Sequence, residues 1–475
     1  MDIEISSVFR TFRGKRCVII ELYKLTESNV LQSGNIRFRC ANKKCGASVL
    51  VDETVKKVIQ PSAVEHNHEP YTSEEITKQQ FKVSVKRKAA ENLIEKPSKI
   101  IRRELLLDGA CELSNLELPG IRKMMYKERK KSLPAPIPKS RQEAYCQLYD
   151  LQRKILVKGQ QFCFVNAAKN MVILTCESNL KLMQVSELFF GDGTFSYAPD
   201  HFSQLYTIHV YKNCFYIPVA FCFLPSKSCE TYRLMWRELQ NLSLSVTGKN
   251  FVIPTFYADF ESAAHNAIHA EFPDCMLLCC RFHLSQSWFR FIQSNSFLLR
   301  EYNTKGSAVG KWLRYFFGLP LLPPNEVLGG FLDLMSIVPD GIPQETQTEF
   351  SNYLLNNYIL TLSKYPPDLW AGPPSNCPRT TNGNESFHSN YNKEFYHTHP
   401  NIHNVVEVLR QIQAETLTKI TSVNMNVTNT IKQPTIDRNN YAIEAWNTYA
   451  ASKRDREARL TYLKRLGHHF QAKKI

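Results

Sequence analysis

Three acidic residues in distant parts of the chain have the settings of metal ligands. Asp192 ends an apolar run between Gly191 and Gly193, which predicts a buried strand with an acid at its tip. Asp259 follows a second apolar run, and Glu385 opens a later segment. Carboxylates hold Mg²⁺, and two such ions can bind both oxygens of an in-line phosphoryl displacement. Taken alone, an Asp at a strand end is more often a turn or helix cap than a ligand.

The sequence around these acids resembles a known family. The segments that carry the resemblance are, in chain order, GDGTF (191–195), YADFESAAHNAI (257–268), CRFHLSQ (280–286) and TTNGNESFHS (380–389). As an ordered set they resemble the catalytic core of Mutator-like element (MULE) transposases, over roughly residues 180–400. The resemblance implies that Asp192, Asp259 and Glu385 are the metal-binding acids of an RNase H-like fold. It also implies two Mg²⁺ or Mn²⁺ ions at that site.

Cys280 and His283 form a Cys-x2-His pair that follows the Asp259 segment. Two ligands are too few to specify zinc, so the residues alone favour a buried thiol and a hydrogen-bonded histidine over a second zinc site. In the Mutator-like family this pair belongs to the catalytic region. The resemblance therefore implies a catalytic role for His283, in contact with an acid or a DNA phosphate.

A second group of candidate ligands lies near the N-terminus. Cys40 and Cys45, with His66 and His68 about twenty residues further on, supply the four ligands of a tetrahedral structural zinc site. The alternative is two core cysteines and two surface histidines. Short strands are predicted around these residues. Such strands bury too little surface to be stable alone and need a cross-link, which favours the zinc ion. The segment resembles a FLYWCH-type zinc finger, which implies one Zn²⁺ on these four residues, although Phe38 stands where that family usually has tryptophan.

The charge of the chain favours a polyanionic partner. Lys and Arg number 59 against 44 Asp and Glu, which gives a net charge of +15 and a pI near 9.1. Residues 81–140 hold 15 basic against 7 acidic residues, and residues 451–475 hold 8 against 2. We expect DNA as the partner; the alternative is a solvated basic surface without a ligand. The cluster Lys86-Arg87-Lys88 is compatible with a nuclear import signal or with an exposed helix face.

Cysteine use and hydropathy exclude several classes of protein. The 14 cysteines are scattered through a large chain, a pattern typical of reduced core residues rather than of a disulfide framework. No stretch approaches the ~20 uninterrupted apolar residues of a membrane span, and the N-terminus has no secretory signal pattern. We therefore expect no membrane partner and a nuclear location.

The predicted fold class is α/β, with an RNase H-like catalytic core, a helical insertion and a small β-rich zinc-finger domain at the N-terminus. Three antiparallel strands starting at the Asp192 strand, then a helix, then the Asp259 strand, are the order typical of that core. Alternating prolines at 133–138 mark the main boundary. The predicted domains are a finger (1–70), a basic linker with helical segments (71–140), a transposase core (141–400, with a helical insertion at about 295–375) and a basic helical C-terminal region (401–475).

These observations predict a DNA transposase that binds element ends and catalyses metal-dependent strand cleavage and strand transfer. Because a transposase joins two element ends, we expect a homo-oligomer, at least a dimer on DNA. The alternative is a domesticated DNA-binding protein or transcription regulator without catalysis. A nuclease or RNase H-type enzyme would share the acids but would leave the finger unexplained.

Overall fold

The computed structural model describes residues 3–11, 14–107, 112–376 and 382–470. The first two residues of the TTNGNESFHS segment and the last five of the basic C-terminal region lie outside the described residues. The chain divides into an N-terminal unit (residues 1–137) and a C-terminal unit (residues 138–475). None of the described helices combines the length and the apolarity that crossing a bilayer requires.

The N-terminal unit begins with an antiparallel sheet, in which each strand pairs with the next along the described chain. Its strands are β1 (Ser7–Arg10), β2 (Arg16–Ile20), β3 (Tyr23–Val30), β4 (Ile36–Cys40), β5 (Ser48–Val51) and β6 (Val58–Gln60). Phe38 is fully buried on β4, where it packs with Val18, Leu25 and Val51. The ring at the position of the family's tryptophan is therefore a core residue of this sheet.

The segment predicted as a basic linker contains three helices. They are α1 (Ser73–Glu91), α2 (Pro97–Leu105) and α3 (Leu118–Ser132). A small apolar core lies between them, and its largest members are Phe81, Ile100, Ile121 and Met125. The buried Arg129 on α3 donates to the carbonyl of Asn92, the C-cap residue of α1, at 2.8 Å, so a cation stabilises the negative end of that helix. The segment therefore folds as a compact helical bundle.

The C-terminal unit is built on a mixed sheet. After a short hairpin of β7 (Leu156–Val157) and β8 (Gln160–Gln161), the sheet strands are β9 (Cys163–Asn166), β10 (Met171–Leu174), β11 (Leu188–Thr194), β12 (Gln204–Lys212), β13 (Phe215–Leu224), β14 (Thr255–Ala258) and β15 (Met276–Cys279). Their spatial order is β15-β14-β11-β12-β13-β10-β9. The three antiparallel strands predicted from Asp192 onward are confirmed as β11, β12 and β13. Strands β14 and β15 run parallel to β11 on its other side.

The strand before Asp259 is shorter than the apolar run at 252–258 predicts. It begins at Thr255, and Val252 is 69% exposed. Pro254 has no N–H to donate to a neighbouring strand, so the ladder starts after it.

Helices cover the sheet and form a separate bundle. They are α4 (Arg141–Leu151), α5 (Glu177–Gln184), α6 (Cys229–Thr247), α7 (Ser262–Glu271), α8 (Arg281–Ser294), α9 (Ser296–Asn303), α10 (Ala308–Tyr315), α11 (Val327–Met335), α12 (Gln344–Leu354), α13 (Asn382–Lys393), α14 (Ile402–Asn424), α15 (Gln433–Ala450) and α16 (Arg456–Phe470). Shorter 3₁₀ turns span Ala167–Lys169, Phe316–Leu321, Pro324–Glu326 and Pro367–Leu369, and a π-helical turn spans Leu355–Ile359.

Helices α8 to α12 share one apolar core with α15 and α16, the last two described helices. Trp288, Trp312 and Trp370 are almost fully buried there, together with Tyr449 of α15 and Leu463 of α16. The helical segment predicted at about 295–375 therefore packs with part of the C-terminal region.

Gly191 permits the close packing of the central strands. A Cβ at this position would overlap the Tyr206 hydroxyl on β12 and the Phe256 ring on β14. Both neighbours are buried, so neither side chain can move away into solvent. The glycine before Asp192 is thus a packing requirement of the sheet.

We predict that Gly191→Ala destabilises the C-terminal unit by about 1–3 kcal/mol, the usual cost of overpacking a core. Urea denaturation followed by tryptophan fluorescence measures this unit alone, because all five tryptophans lie in residues 138–475. The matched control is Gly329→Ala on α11, where the new methyl group would meet only the flexible Arg459 side chain. Equal stabilities for the two variants would contradict the packing role of Gly191.

Candidate functional site

The sheet places two of the three predicted acids side by side. Strands β11 and β14 are parallel neighbours, with Phe190 opposite Tyr257. Two residues further along this register, Asp192 on β11 is beside Asp259, which directly follows β14. Adjacent strands are about 4.8 Å apart, so both acids lie at the same end of the sheet.

Glu385 comes from α13, which packs closely against the same sheet. A Cβ on Gly383 would overlap the Tyr216 ring of β13, so the helix needs glycine where it crosses that strand. Phe387 packs against the Phe221 ring, with the two centroids 5.7 Å apart. These two contacts fix the position of the first turn of α13, which carries Glu385.

His388 is a site residue that the sequence analysis did not select. Its Nδ1 lies 3.3 Å from Asp192 Oδ2, and its Nε2 lies 3.0 Å from Thr207 Oγ1. The Gly193 amide donates to Asp192 Oδ1 at 2.8 Å. Both carboxylate oxygens of Asp192 therefore have a partner, His388 for Oδ2 and the Gly193 amide for Oδ1. The sequence did contain one signal for His388. It stands three positions after Glu385, so the two residues share a helix face.

Asp259 and Glu385 are electrostatically crowded. Burial, followed by the charge of Asp192, raises the pKa of Asp259 to about 7. Burial also raises the pKa of Glu385 to about 7; the His283 charge opposes this shift and the Asp192 charge adds to it. A divalent cation relieves such crowding, because it supplies the opposite charge that ionised carboxylates lack. The three acids therefore suit a cation site.

His283 lies beside one of the acids, as the family resemblance implied. Its Nε2 is 3.5 Å from Glu385 Oε1. Burial lowers the pKa of His283, but the hydrogen bond and charge of Cys280 and the charges of Asp192 and Asp259 outweigh it and raise that pKa to about 10. The imidazolium therefore places a positive charge beside Glu385.

The three acids are not one tight cluster. Among the described residues, Glu385 groups with Cys280 and His283, whose ligand atoms all lie within 4.8 Å of one another, and the set Asp192, Asp259 and Glu385 does not meet that limit. In a two-metal site the ions themselves are about 3.5–4 Å apart, so acids on opposite sides need not approach this closely. The donor set, which consists of carboxylates alone, fits two hard cations.

Two further charged residues act on Asp259 and were not predicted. Lys227 lowers the pKa of Asp259 and Glu261 raises it, although both effects are smaller than burial. The Lys227 ammonium lies 3.1 Å from the centroid of the Phe195 ring, in the GDGTF segment. The exposed Lys227 thus places a cation near the acids, where a phosphate group can reach it.

The N-terminal unit contains a second candidate metal centre. Its ligand atoms all lie within 4.8 Å of one another and belong to Cys40, Cys45, His66 and His68. Cys40 Sγ is 3.1 Å from His68 Nε2, and Cys45 Sγ is 3.4 Å from His66 Nδ1. His68 Nδ1 donates to the Glu69 carbonyl at 2.9 Å, and Tyr23 stacks on His66 at 3.7 Å. Two thiols and two oriented imidazoles are the donor set of structural zinc.

Comparison with known proteins identifies one region of the chain. Residues 188–287 match the family model of the MULE transposase domain. The matched region contains Asp192, Asp259, Cys280 and His283 and ends before Glu385. No curated protein matches the chain. The match supports a transposase-like function for the C-terminal unit.

We predict that Asp259→Asn stabilises the Mg²⁺-free protein at pH 8 and that the gain shrinks at pH 5. The folded pKa of Asp259 lies above its unfolded value, so stability is lost as pH rises from about 4 to about 7, and the amide removes this loss. The expected gain at pH 8 is on the order of 1–3 kcal/mol in urea denaturation followed by tryptophan fluorescence. Exposed Asp274→Asn serves as the control. An equal gain at both pH values would contradict the crowding of Asp259.

We predict that Cys45→Ser reduces the zinc content by one ion per chain and makes residues 1–70 sensitive to protease. The short strands then lose the ion that links β4 to the His66–His68 segment. Elemental analysis and limited proteolysis measure these effects, with exposed Cys146→Ser as the matched control. Unchanged zinc content in Cys45→Ser would show that these four residues do not bind the ion.

Proposed function

We propose that this protein is a DNA transposase of the Mutator-like type, built on an RNase H-like core. The observation that carries the proposal is the convergence of Asp192, Asp259 and Glu385 at one end of the sheet, with both aspartates inside the MULE transposase match. The sheet order supports the RNase H-like core. In that order the three antiparallel strands continue, on the far side of β11, into two parallel strands.

The acids and their neighbours would act together on a phosphodiester. Asp192, Asp259 and Glu385 would hold two Mg²⁺ or Mn²⁺ ions. When bound, such ions activate water or a 3′-hydroxyl and stabilise the leaving oxygen. His388 orients the Asp192 carboxylate for this task, and Lys227 would contact a phosphate oxygen.

The N-terminal unit would supply DNA affinity. We assign the Cys40, Cys45, His66 and His68 cluster as a FLYWCH-type zinc finger, by its donor set and by the resemblance of its sequence. The outer side of α3, here called the α3 basic face, consists of the exposed residues Arg122, Lys123, Tyr126, Lys127 and Lys130. These positions lie on one side of the helix, opposite Ile121 and Met125. Such a stripe suits contacts with successive DNA phosphates.

Two further properties follow from the reaction. Cleaving two element ends and joining them to a target calls for at least a dimer on DNA. The substrate DNA of such an element lies in the nucleus, where the protein would act.

A second candidate is a domesticated, noncatalytic DNA-binding regulator. The observation that favours it is the extent of the family match, which ends at residue 287 and supports two of the three acids only. Both candidates predict zinc and DNA binding, so strand cleavage separates them.

The test is strand cleavage and joining on duplex DNA that carries the flanking repeats, with Mg²⁺ or Mn²⁺. We expect metal-dependent products from the wild-type protein and a loss of at least about a hundredfold in Asp192→Ala, because a ligand of the ions is missing. Asp200→Ala, an exposed acid of the same unit, is the control. DNA binding without products from any of these proteins would favour the regulator.

We predict that the double variant Lys123→Ala/Lys127→Ala binds duplex DNA of random sequence more weakly and with a shallower salt dependence. Losing two phosphate contacts should reduce the slope of log K against log salt by about 2. The matched control, Lys99→Ala/Arg102→Ala, removes two exposed cations from α2. Fluorescence anisotropy at several salt concentrations measures both. A slope reduced equally in both variants would indicate only a general charge effect.

A further inference from the structure

Cys280, His283 and Glu385 bring three kinds of metal ligand together from two helices. Cys280 is the N-cap residue of α8 and His283 lies in its first turn, whereas Glu385 lies in the first turn of α13. One ligand atom from each residue lies within 4.8 Å of the other two. Among the described residues, the finger cluster is the other group that meets this criterion.

The distance between His283 and Glu385 fits two ligands of one tetrahedral ion better than a hydrogen bond between them. His283 Nε2 and Glu385 Oε1 are 3.5 Å apart. Two ligands of a tetrahedral zinc ion, each bonded at about 2.0–2.1 Å, lie about 3.3–3.4 Å from each other. A charge-assisted N–H to carboxylate hydrogen bond is shorter, about 2.7–2.9 Å. The 3.1 and 3.4 Å separations in the finger cluster are comparable.

Two polar atoms of His283 and Glu385 lack the hydrogen-bond partners that burial calls for. Within the described part of the chain, His283 Nδ1 and Glu385 Oε1 are both buried without a hydrogen-bond partner. A buried polar atom without a partner destabilises the fold, because it has lost its hydrogen bonds to water. A metal ion that bonds a Glu385 oxygen and one imidazole nitrogen would offset part of that cost.

The types of ligand atom in this group favour zinc over magnesium. A thiolate and an imidazole are ligands for zinc, whereas Mg²⁺ prefers oxygen alone. Three protein ligands with a fourth position left for water or another ligand are the composition of an open zinc site. Because Cys280 is fully buried, its sulfur faces the protein interior, where this ion would lie.

We propose that Cys280, His283 and Glu385 form a second zinc site, which withdraws Glu385 from the two aspartates. The zinc site itself is independent of the reaction; its inhibitory effect rests on the proposed function, because Glu385 would serve both kinds of ion. Zinc bound there holds the carboxylate at α8 and leaves the Mg²⁺ site with two acids. Cleavage would then depend on the ratio of zinc to magnesium.

Metal content tests the site directly. After dialysis against micromolar zinc, elemental analysis should find two zinc ions per chain in the wild-type protein and one in Cys280→Ala. Cys279→Ala, a neighbouring buried cysteine outside the group, is the matched control and should keep two. Equal zinc content in the wild-type protein and Cys280→Ala would overturn the proposal. Tryptophan fluorescence in urea verifies that each variant is folded.

A second measurement does not depend on Cys280→Ala folding. Cobalt is added to wild-type protein whose finger already contains zinc, and the absorption spectrum is recorded. We expect a thiolate-to-cobalt band that zinc displaces and that is absent in Glu385→Gln and His283→Ala. A band of unchanged intensity in both variants would overturn the three-residue site.

The inhibitory role is tested by adding zinc to the Mg²⁺ cleavage reaction. We expect zinc to slow the wild-type protein by roughly tenfold or more and to leave the rate of Cys280→Ala unchanged relative to its own zinc-free rate. Equal inhibition of both proteins would overturn the inhibitory role. If no protein cleaves DNA but the zinc contents differ as expected, the zinc site stands and the transposase proposal fails.

Discussion

Burial of neighbouring carboxylic acids is the physical constraint that shapes the candidate site of the C-terminal unit. Burial raises the pKa of both Asp259 and Glu385, and the charge of Asp192 adds to both shifts, so the folded chain keeps carboxyl groups where ionisation is costly. Folding alone gains nothing from this arrangement, because burying unpaired carboxylates destabilises a protein. The proposed cation would supply the opposite charge that these carboxylates lack. The charge of His283 opposes both pKa shifts.

Glycine residues allow close packing around this charged centre, because they have no side chain. Gly191 lets β11 lie against Tyr206 and Phe256, and Gly383 lets α13 lie against Tyr216. Both glycines stand within two residues of an acid, so the same short segments supply the ligand and the space that its backbone needs. The need for space beside each acid explains why a glycine precedes it in the contexts GDG and NGNE.

The sequence predicted the sheet strands and the acids more completely than it predicted the acids' surroundings. The mostly apolar runs at 205–210 and 215–224, of six and ten residues, have few alternatives to buried strands, so the antiparallel pairing of β12 and β13 followed. His388 was missed because its spacing from Glu385 shows a shared helix face but not its partner, Asp192. Lys227 was missed because a single exposed polar side chain has no periodicity. The shared core of the inserted helices with α15 and α16 was also missed, since amphipathic patterns show which face is buried but not what covers it.

The proposed function requires Asp192 and Asp259 to bind a divalent cation jointly, beside Glu385. The most direct measurement is a crystal structure of the protein soaked in Mn²⁺, with anomalous differences recorded to locate the ion. We expect an anomalous peak in contact with one carboxylate oxygen of Asp192 and one of Asp259, and we expect that peak to be absent in Asp192→Ala. Manganese bound elsewhere in the unit, with both aspartates free of metal, would contradict it.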